Sequence, residues 1–385
     1  MSASHLSPVT VVFAANDYYV PYLSTLLTSL LNNSDPHRTY EFIVLSEDLT
    51  SKHEDALRRW IERSNVSLRV LNVAEAMKPY QAQLKVRGHF KIETYFRLLL
   101  PQLLPNHHKV LYLDADMVCL RDVAALFDTD LGDCLVGACK DADTAGIYNG
   151  VDLDLEQPDK KHYMDDVLKI KNPYEYFQAG TLLFNLDAWR TSIDVDEVFR
   201  FAQLREWQLL DQDVLNYFCQ GRVRFLDMAW NVMYDFDGVR VTHIISKSTP
   251  ELRKDYMNAR KNPFIVHYAG PTKPWMDPDC DFAPLFWQYA RESAFYEVIV
   301  HRMLHTPLNA ELERIDRDLK ATQDYLVSVD AELQRYEHRP LGLMVKEFVY
   351  QKLLTPVVER ATGNNEDAKC KVHTFYRKIH PRATE

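Results

Sequence analysis

Glycine is scarce in this chain, 11 among 385 residues, or about 3% where ~7% is usual. No two glycines stand as G-x-G, and no G-x-x-x-x-G-K-[ST] run occurs. Both glycine-rich phosphate cradles, the dinucleotide fingerprint and the P-loop, are therefore excluded. Positive charge is short as well. Lys and Arg number 45 against 55 Asp and Glu, a formal net charge of −10. Nucleic acid wants a basic face, so it is not an expected partner. No apolar run approaches the length of about eighteen residues that a membrane span needs. The N-terminus has no basic n-region and no long apolar stretch, which speaks against a signal peptide. The six cysteines, Cys119, Cys134, Cys139, Cys219, Cys280 and Cys370, form no C-x-x-C pair. In a long chain without a secretion signal they read as reduced thiols, and the cytoplasm is the default compartment.

What is present is a chain able to bury a sizeable core, 46% apolar and 12% aromatic. Residues 9–15 read as a buried strand after Pro8. Val20, Leu23, Leu27, Leu30 and Leu31 recur at helical spacing. Strands are expected at 41–45, 66–73 and 109–113, and helices at 51–63 and 91–104, the last ended early by Pro101. This alternation argues for an α/β layer with a mainly parallel sheet. Ligands of such sheets collect at the carboxyl ends of strands, where residues 14–19 and 114–116 fall. Further on, strands are expected at 133–139, 180–186 and 264–268, and helices at 195–207, 211–219 and 282–304. Residues 141–176 are polar and irregular and read as loops over a site.

The sharpest chemical signal is Leu111-Tyr112-Leu113-Asp114-Ala115-Asp116. Carboxylates at alternate positions of an extended backbone point the same way. They are either a solvated strand end or a pair gathered around a hard divalent ion, Mn²⁺ or Mg²⁺. Phe264-Ile265-Val266-His267 runs into the rigid turn Gly270-Pro271-Thr272-Lys273-Pro274-Trp275. His267 is then a packed core residue or an imidazole ligand to the same ion. Lys273 could neutralise a phosphate as a point charge.

Taken together these segments resemble glycosyltransferase family 8, the group of bacterial lipopolysaccharide galactosyl- and glucosyltransferases and glycogenin-like proteins. Residues 12–19, 110–116, 177–190 and 267–275 carry the resemblance in the family's order. Asp211-Gln212-Asp213 and Ile92-Glu93-Thr94-Tyr95-Phe96-Arg97 match as well. It covers roughly residues 8–280. The resemblance implies a GT-A nucleotide-sugar-binding fold, a Rossmann-like mixed sheet, with a UDP-hexose donor, a saccharide acceptor, a divalent metal and retention of configuration. By position Asp114, Asp116 and His267 would hold the metal. Lys273 would hold the diphosphate, with Ala115 and Gly270 among the donor-binding positions. Ala14, Asp17 and Tyr19 would line the uridine, Tyr19 by stacking. Arg97 and Asp141 would contact the donor, and the catalytic positions Asp211 and Gln212 would face its sugar. Bland roles stand beside these: a helix N-cap for Asp211, a solvated loop carboxylate for Asp141, a helix-surface ion pair for Arg97. Gln178 stands where members often have Asn, so its sugar contact is open. So is Asn16, where some members carry Asp.

The expected organisation is a catalytic domain over 1–280, a helical extension over 281–340 and a basic tail over 341–385. Leu308, Leu312, Ile315, Leu319, Thr322, Leu326, Val329, Leu333 and Tyr336 step through four heptads. That stripe suits a homodimeric coiled coil or a hairpin with residues 341–354. Residues 339–385 hold nine Lys/Arg against five Asp/Glu, net +4, leaving −14 for residues 1–338. The basic end suits an anionic membrane surface or an ordinary solvated terminus. Two readings compete with a metal-dependent hexosyltransferase. One is a sugar nucleotidyltransferase, whose glycine-rich loop is replaced here by Ala14-Ala15-Asn16. The other is a non-catalytic UDP-sugar-binding scaffold that dimerises through the heptads.

Overall fold

The computed structural model describes residues 7–63, 65–85, 92–151 and 159–334. The chain divides into two compact units, Met1–Val300 and His301–Glu385.

The first unit is built on a seven-stranded sheet in the order β3-β2-β1-β4-β7-β6-β8. The strands are β1 (Val9–Ala14), β2 (Tyr40–Ser46), β3 (Val66–Asn72), β4 (Lys109–Leu113), β6 (Val136–Lys140), β7 (Phe177–Asn185) and β8 (Val223–Phe225). β1 pairs in parallel with β2 and β4, and β7 runs antiparallel to β4 and β6. A second sheet orders β5 (Met117–Cys119), β10 (Ile265–His267) and β9 (Val232–Met233).

Both faces of the large sheet are covered. Val11, Phe13, Leu111 and Leu113 enter one apolar cluster, and Val12, Val110 and Tyr112 enter the other. A strand buried on both sides reads as a continuous apolar run, which is why β1 and β4 stand out in the sequence. The helix Val20–Asn33 covers one face and is buried from Val20 to Leu31. The buried hydroxyls of Ser24, Thr28 and Ser29 bond to the helix's own carbonyls, Thr28 Oγ1 to Ser24 O at 2.8 Å. Ser29 Oγ also accepts the Cys119 N–H at 2.9 Å, and Asn33 Nδ2 donates to Cys119 O at 3.1 Å. Those bonds hold the edge of β5, the strand that directly follows the paired aspartates.

Several boundaries differ from expectation. Pro101 does not end a helix. A 3-10 stretch, Ile92–Leu99, gives way to the short helix Leu100–Leu103, and Pro101 sits in its first turn. A first-turn position has no helical partner for an N–H, so proline loses nothing there. Residues 141–176 are not all loop. Asp141 caps the helix Ala142–Tyr148, accepting the Thr144 N–H at 3.0 Å. Turns Lys160–His162, Tyr163–Val167 and Pro173–Glu175 follow. β7 begins at Phe177 because Asn216 bonds both backbone groups of that residue at 2.8 Å. The aromatic helix expected over 282–304 breaks into Ala283–Ala290 and a helix from Tyr296. Ser293 Oγ takes the Ala290 carbonyl at 2.8 Å, and such a bond competes with helix propagation.

The second unit is described as the continuation of the helix Tyr296–Gln334. It spans the heptad stripe as far as Leu333. Tyr336, Pro340, residues 341–354 and the basic tail lie outside the described residues. No helix among the described residues is long and apolar enough to cross a membrane.

Candidate active site at the β1–β4 switch point

β1 has β2 on one side and β4 on the other, so connections leave it in opposite directions. A crevice opens at the carboxyl ends of strands at such a switch point. Asp114 follows β4 there. Asp116 and His267 lie far apart in sequence, and the small sheet unites them. β5 and β10 run antiparallel with His267 opposite Met117. The Tyr268 N–H then donates to Asp116 O at 2.9 Å.

One ligand atom from each of Asp114, Asp116 and His267 falls within 4.8 Å of the others. His267 Nε2 is 3.3 Å from Asp116 Oδ1 and 3.6 Å from Asp114 Oδ2. Two carboxylate oxygens and one imidazole nitrogen suit Mn²⁺ or Mg²⁺. His267 is buried, and its other nitrogen, Nδ1, is 3.0 Å from Asn231 Oδ1. The donor set therefore fits a divalent ion, with the ring already oriented.

Cations flank the pair. Lys273 Nζ is 2.5 Å from Asp116 Oδ2 and donates to Tyr268 O at 2.6 Å. Burial resists ionisation of Asp116. Lys273 outweighs it and holds the carboxyl well below its usual range. Arg97 is not a surface residue. Its side chain is 4% exposed and lies behind Asp114, with NH2 2.7 Å from Asp114 Oδ1. Its Nε is 3.0 Å from Asp211 Oδ2, while NH1 donates to Ala179 O. The guanidinium also stacks 4.3 Å over Tyr112. Burial opposes its charge, and Asp114 and Asp211 more than restore it.

Asp211 is the first residue of the helix Asp211–Cys219 but not its cap. Leu210 occupies the cap with φ 49°. The Asp211 carboxyl accepts the Thr94 hydroxyl, and its Oδ2, out of line with Arg97 Nε, has no hydrogen-bond donor. Burial pushes the carboxyl up to about 6 against the pull of Arg97. Gln212 is held at both ends. Its Oε1 accepts the Ala179 N–H at 2.8 Å and its Nε2 donates to Asp141 Oδ2 at 2.9 Å. Asp141 is thus a buried helix cap, not a solvated loop carboxylate. Gln178 Oε1 accepts from Asn231 Nδ2 at 2.6 Å.

The positions expected to line a uridine lie at the end of β1. Ala14 is half-buried and Ala115 is buried between the aspartates. The Tyr19 ring meets Trp275 edge-on at 5.8 Å, and burial with nearby Asp116 pushes its hydroxyl up. Asp17 turns toward the next element. Its Oδ1 is 2.8 Å from Thr50 N, Thr50 Oγ1 and His53 Nδ1. Trp275 stacks on Tyr22 at 4.0 Å, which seats the Lys273 turn against the helix Val20–Asn33. Gly270 has no room for a side chain, since a Cβ would stand 2.8 Å from the Tyr234 hydroxyl.

Sequence reading missed Thr94, Asn231 and the buried ion pair Arg240–Asp143 at 2.8 Å. Asn231, Arg240 and Asp143 sit in no short motif that marks them, and Thr94, though inside the matching run 92–97, gains its role only from Asp211 far along the chain.

Residues 10–279 match the Glycosyl transferase family 8 model. General stress protein A of Bacillus subtilis is 25% identical over 69% of this chain and 86% of its own. The apo structure of the WbbM bifunctional glycosyltransferase matches with a TM-score of 0.68 at 28% identity, over 79% of this chain and 53% of that one. The galactosyltransferase LgtC, solved with donor and acceptor sugar analogues, matches with a TM-score of 0.58 at 27% identity, over 74% of this chain and 96% of that one. The fold is therefore GT-A, and the chain belongs to glycosyltransferase family 8.

Proposed function

We propose that this glycosyltransferase moves glucose or galactose from a UDP-hexose to a saccharide acceptor of a cell-envelope glycan, with retention of anomeric configuration and dependence on Mn²⁺ or Mg²⁺. One observation carries the reading. Two carboxylates and an oriented imidazole converge at a switch-point crevice, with Lys273 beside them.

When bound, the divalent ion supplies positive charge to the departing diphosphate. Asp114, Asp116 and His267 would hold it. Lys273 would set its ammonium against the leaving phosphate oxygens, where negative charge grows. Gln212 is a neutral amide whose carbonyl already serves the Ala179 N–H, so it makes a poor nucleophile. Asp211 is tied to Thr94 and Arg97. These constraints favour front-face displacement. The acceptor oxygen bonds to the anomeric carbon on the face that the UDP oxygen leaves, and the hydroxyl proton passes to that oxygen. Gln212 and Asp211 would steady the positive sugar electrostatically. The LgtC complex, a relative holding donor and acceptor sugar analogues, supports a sugar donor and a sugar acceptor.

UDP release from UDP-glucose and UDP-galactose with Mn²⁺ tests the reading. One donor should turn over, chelation should stop it, and Asp116→Ala should lower the rate at least a hundredfold. Turnover indifferent to both would overturn the metal assignment. UDP binding without turnover of any nucleotide sugar would favour the scaffold instead.

We extend the proposal to the C-terminal part: the heptads 308–336 pair two chains, and the basic tail meets anionic lipid. Sedimentation of the full chain tests the first, with a dimer expected at micromolar concentration and a monomer counting against it.

A further inference from the structure

The hydrogen bonds behind His267 have a direction that a single backbone group sets. The Gly180 N–H can only donate, and its acceptor is the side-chain oxygen of Gln178, two residues earlier on β7. That bond identifies the Gln178 atom as Oε1. A carbonyl oxygen only accepts, so the Asn231 atom 2.6 Å from it must be the NH2 group. Asn231 therefore turns its own carbonyl oxygen to His267 Nδ1, 3.0 Å away. An oxygen facing that nitrogen requires Nδ1 to carry the proton. Nε2 is left with its lone pair toward Asp114 and Asp116.

We infer that Asn231 and Gln178 are positioning residues that lock His267 in the Nδ1–H form, the form able to ligate a metal through Nε2. The inference rests on the metal role proposed above for His267. Ordinarily, which imidazole nitrogen carries the proton is set by the partner of the other one. Here the partner's orientation is itself dictated, through two amides, by the main chain of β7. Gly180 completes the device. A Cβ there would stand 2.3 Å from His267 Cε1 and 2.8 Å from Met117 Cε, so only glycine lets the ring seat against the strand. The run Phe177-Gln178-Ala179-Gly180 thus builds the histidine ligand from behind.

Nitrogen-15 NMR of histidine-labelled protein without metal tests the tautomer, with the His267 signal assigned through His267→Gln. The wild type should show His267 protonated at Nδ1. Asn231→Ala should shift it toward the Nε2–H form and weaken Mn²⁺ binding, read by electron paramagnetic resonance, by tenfold to a hundredfold. Asn231→Asp keeps an acceptor at Nδ1 and should keep the tautomer. An unchanged tautomer and an unchanged Mn²⁺ affinity in Asn231→Ala would overturn the inference. If Asn231→Ala fails to fold, Gln178→Met cuts the relay one step earlier, and an unchanged His267 signal there overturns it equally. Mn²⁺ binding by the wild type separates the two failures. A wild type that ignores Mn²⁺ sinks the proposed function, whereas an indifferent Asn231→Ala in a metal-binding protein sinks only the relay.

Discussion

At the scale of single residues, the site is a set of charges whose partners decide their state. Asp211 is the clearest case. Burial pushes its carboxyl up to about 6 in the folded protein, against an ordinary 3.8. Between those values the folded protein holds a proton that the unfolded chain has released. Stability therefore falls as pH rises from about 4 through about 6, on the order of 3 kcal/mol. Asp211→Asn removes that loss. Denaturant midpoints should show the variant gaining on the wild type across this window and keeping the gain at pH 7.5, while sugar transfer drops. Parallel curves from pH 4 to 7.5 would mean the carboxyl titrates normally. Gly180→Ala makes a second residue-scale prediction. The added methyl must displace the His267 ring, so Mn²⁺ affinity should fall at least tenfold and the melting temperature should drop.

At the scale of elements, the site depends on a short strand and a stiff turn. β5 has three residues and would be marginal alone. It is fixed by Ser29 and Asn33 of the helix Val20–Asn33 and by its antiparallel register with β10. The Lys273 turn is seated on the same helix by Trp275, which lies flat on Tyr22 and meets Phe286 at 5.2 Å. Trp275→Ala should cost about 3 kcal/mol of stability. It should also raise KM for the donor more than it lowers kcat, since Lys273 loses its support. An unchanged KM would place the lysine's support elsewhere. Elements whose character comes from neighbours a few residues away were readable in advance. Apolar β1 and β4 and the amphipathic helix Ser51–Ile61 are examples. Pro101 and the break at Ser293 depart from the sequence expectation. In both, one residue admits two local outcomes, and contacts beyond the helix choose between them.

At the scale of the molecule, the average charge of −10 conceals a split of −14 over residues 1–338 and +4 over the rest. If the tail meets lipid, the chain should float with anionic vesicles despite its acidic total. It should come off as salt shortens the Debye length from about 10 Å at 0.1 M toward 3 Å at 1 M, and ignore neutral vesicles throughout. Equal binding to both vesicle types would remove charge as the cause. The proposed anionic donor would be met in the same local way. Lys273 and Arg97 balance Asp114 and Asp116 at the crevice, where a bound divalent ion would reverse the sign.

The sequence alone determined the chemistry on offer: the alternating carboxylates, the histidine and lysine spaced around a proline-stiffened turn, and the strand–helix rhythm that puts them at a sheet's carboxyl edge. Those features rest on residues within a few positions of each other, where backbone period and side-chain type suffice. Tertiary structure decided how that chemistry is wired. It set His267 against Asp116 across β5 and β10, buried Arg97 between two carboxylates, turned Gln212 toward Asp141 and brought Asn231 behind the imidazole. Each of these depends on which donor faces which acceptor across tens of residues of chain. Hydrogen-bond polarity is a property of that three-dimensional meeting, and no local pattern encodes it.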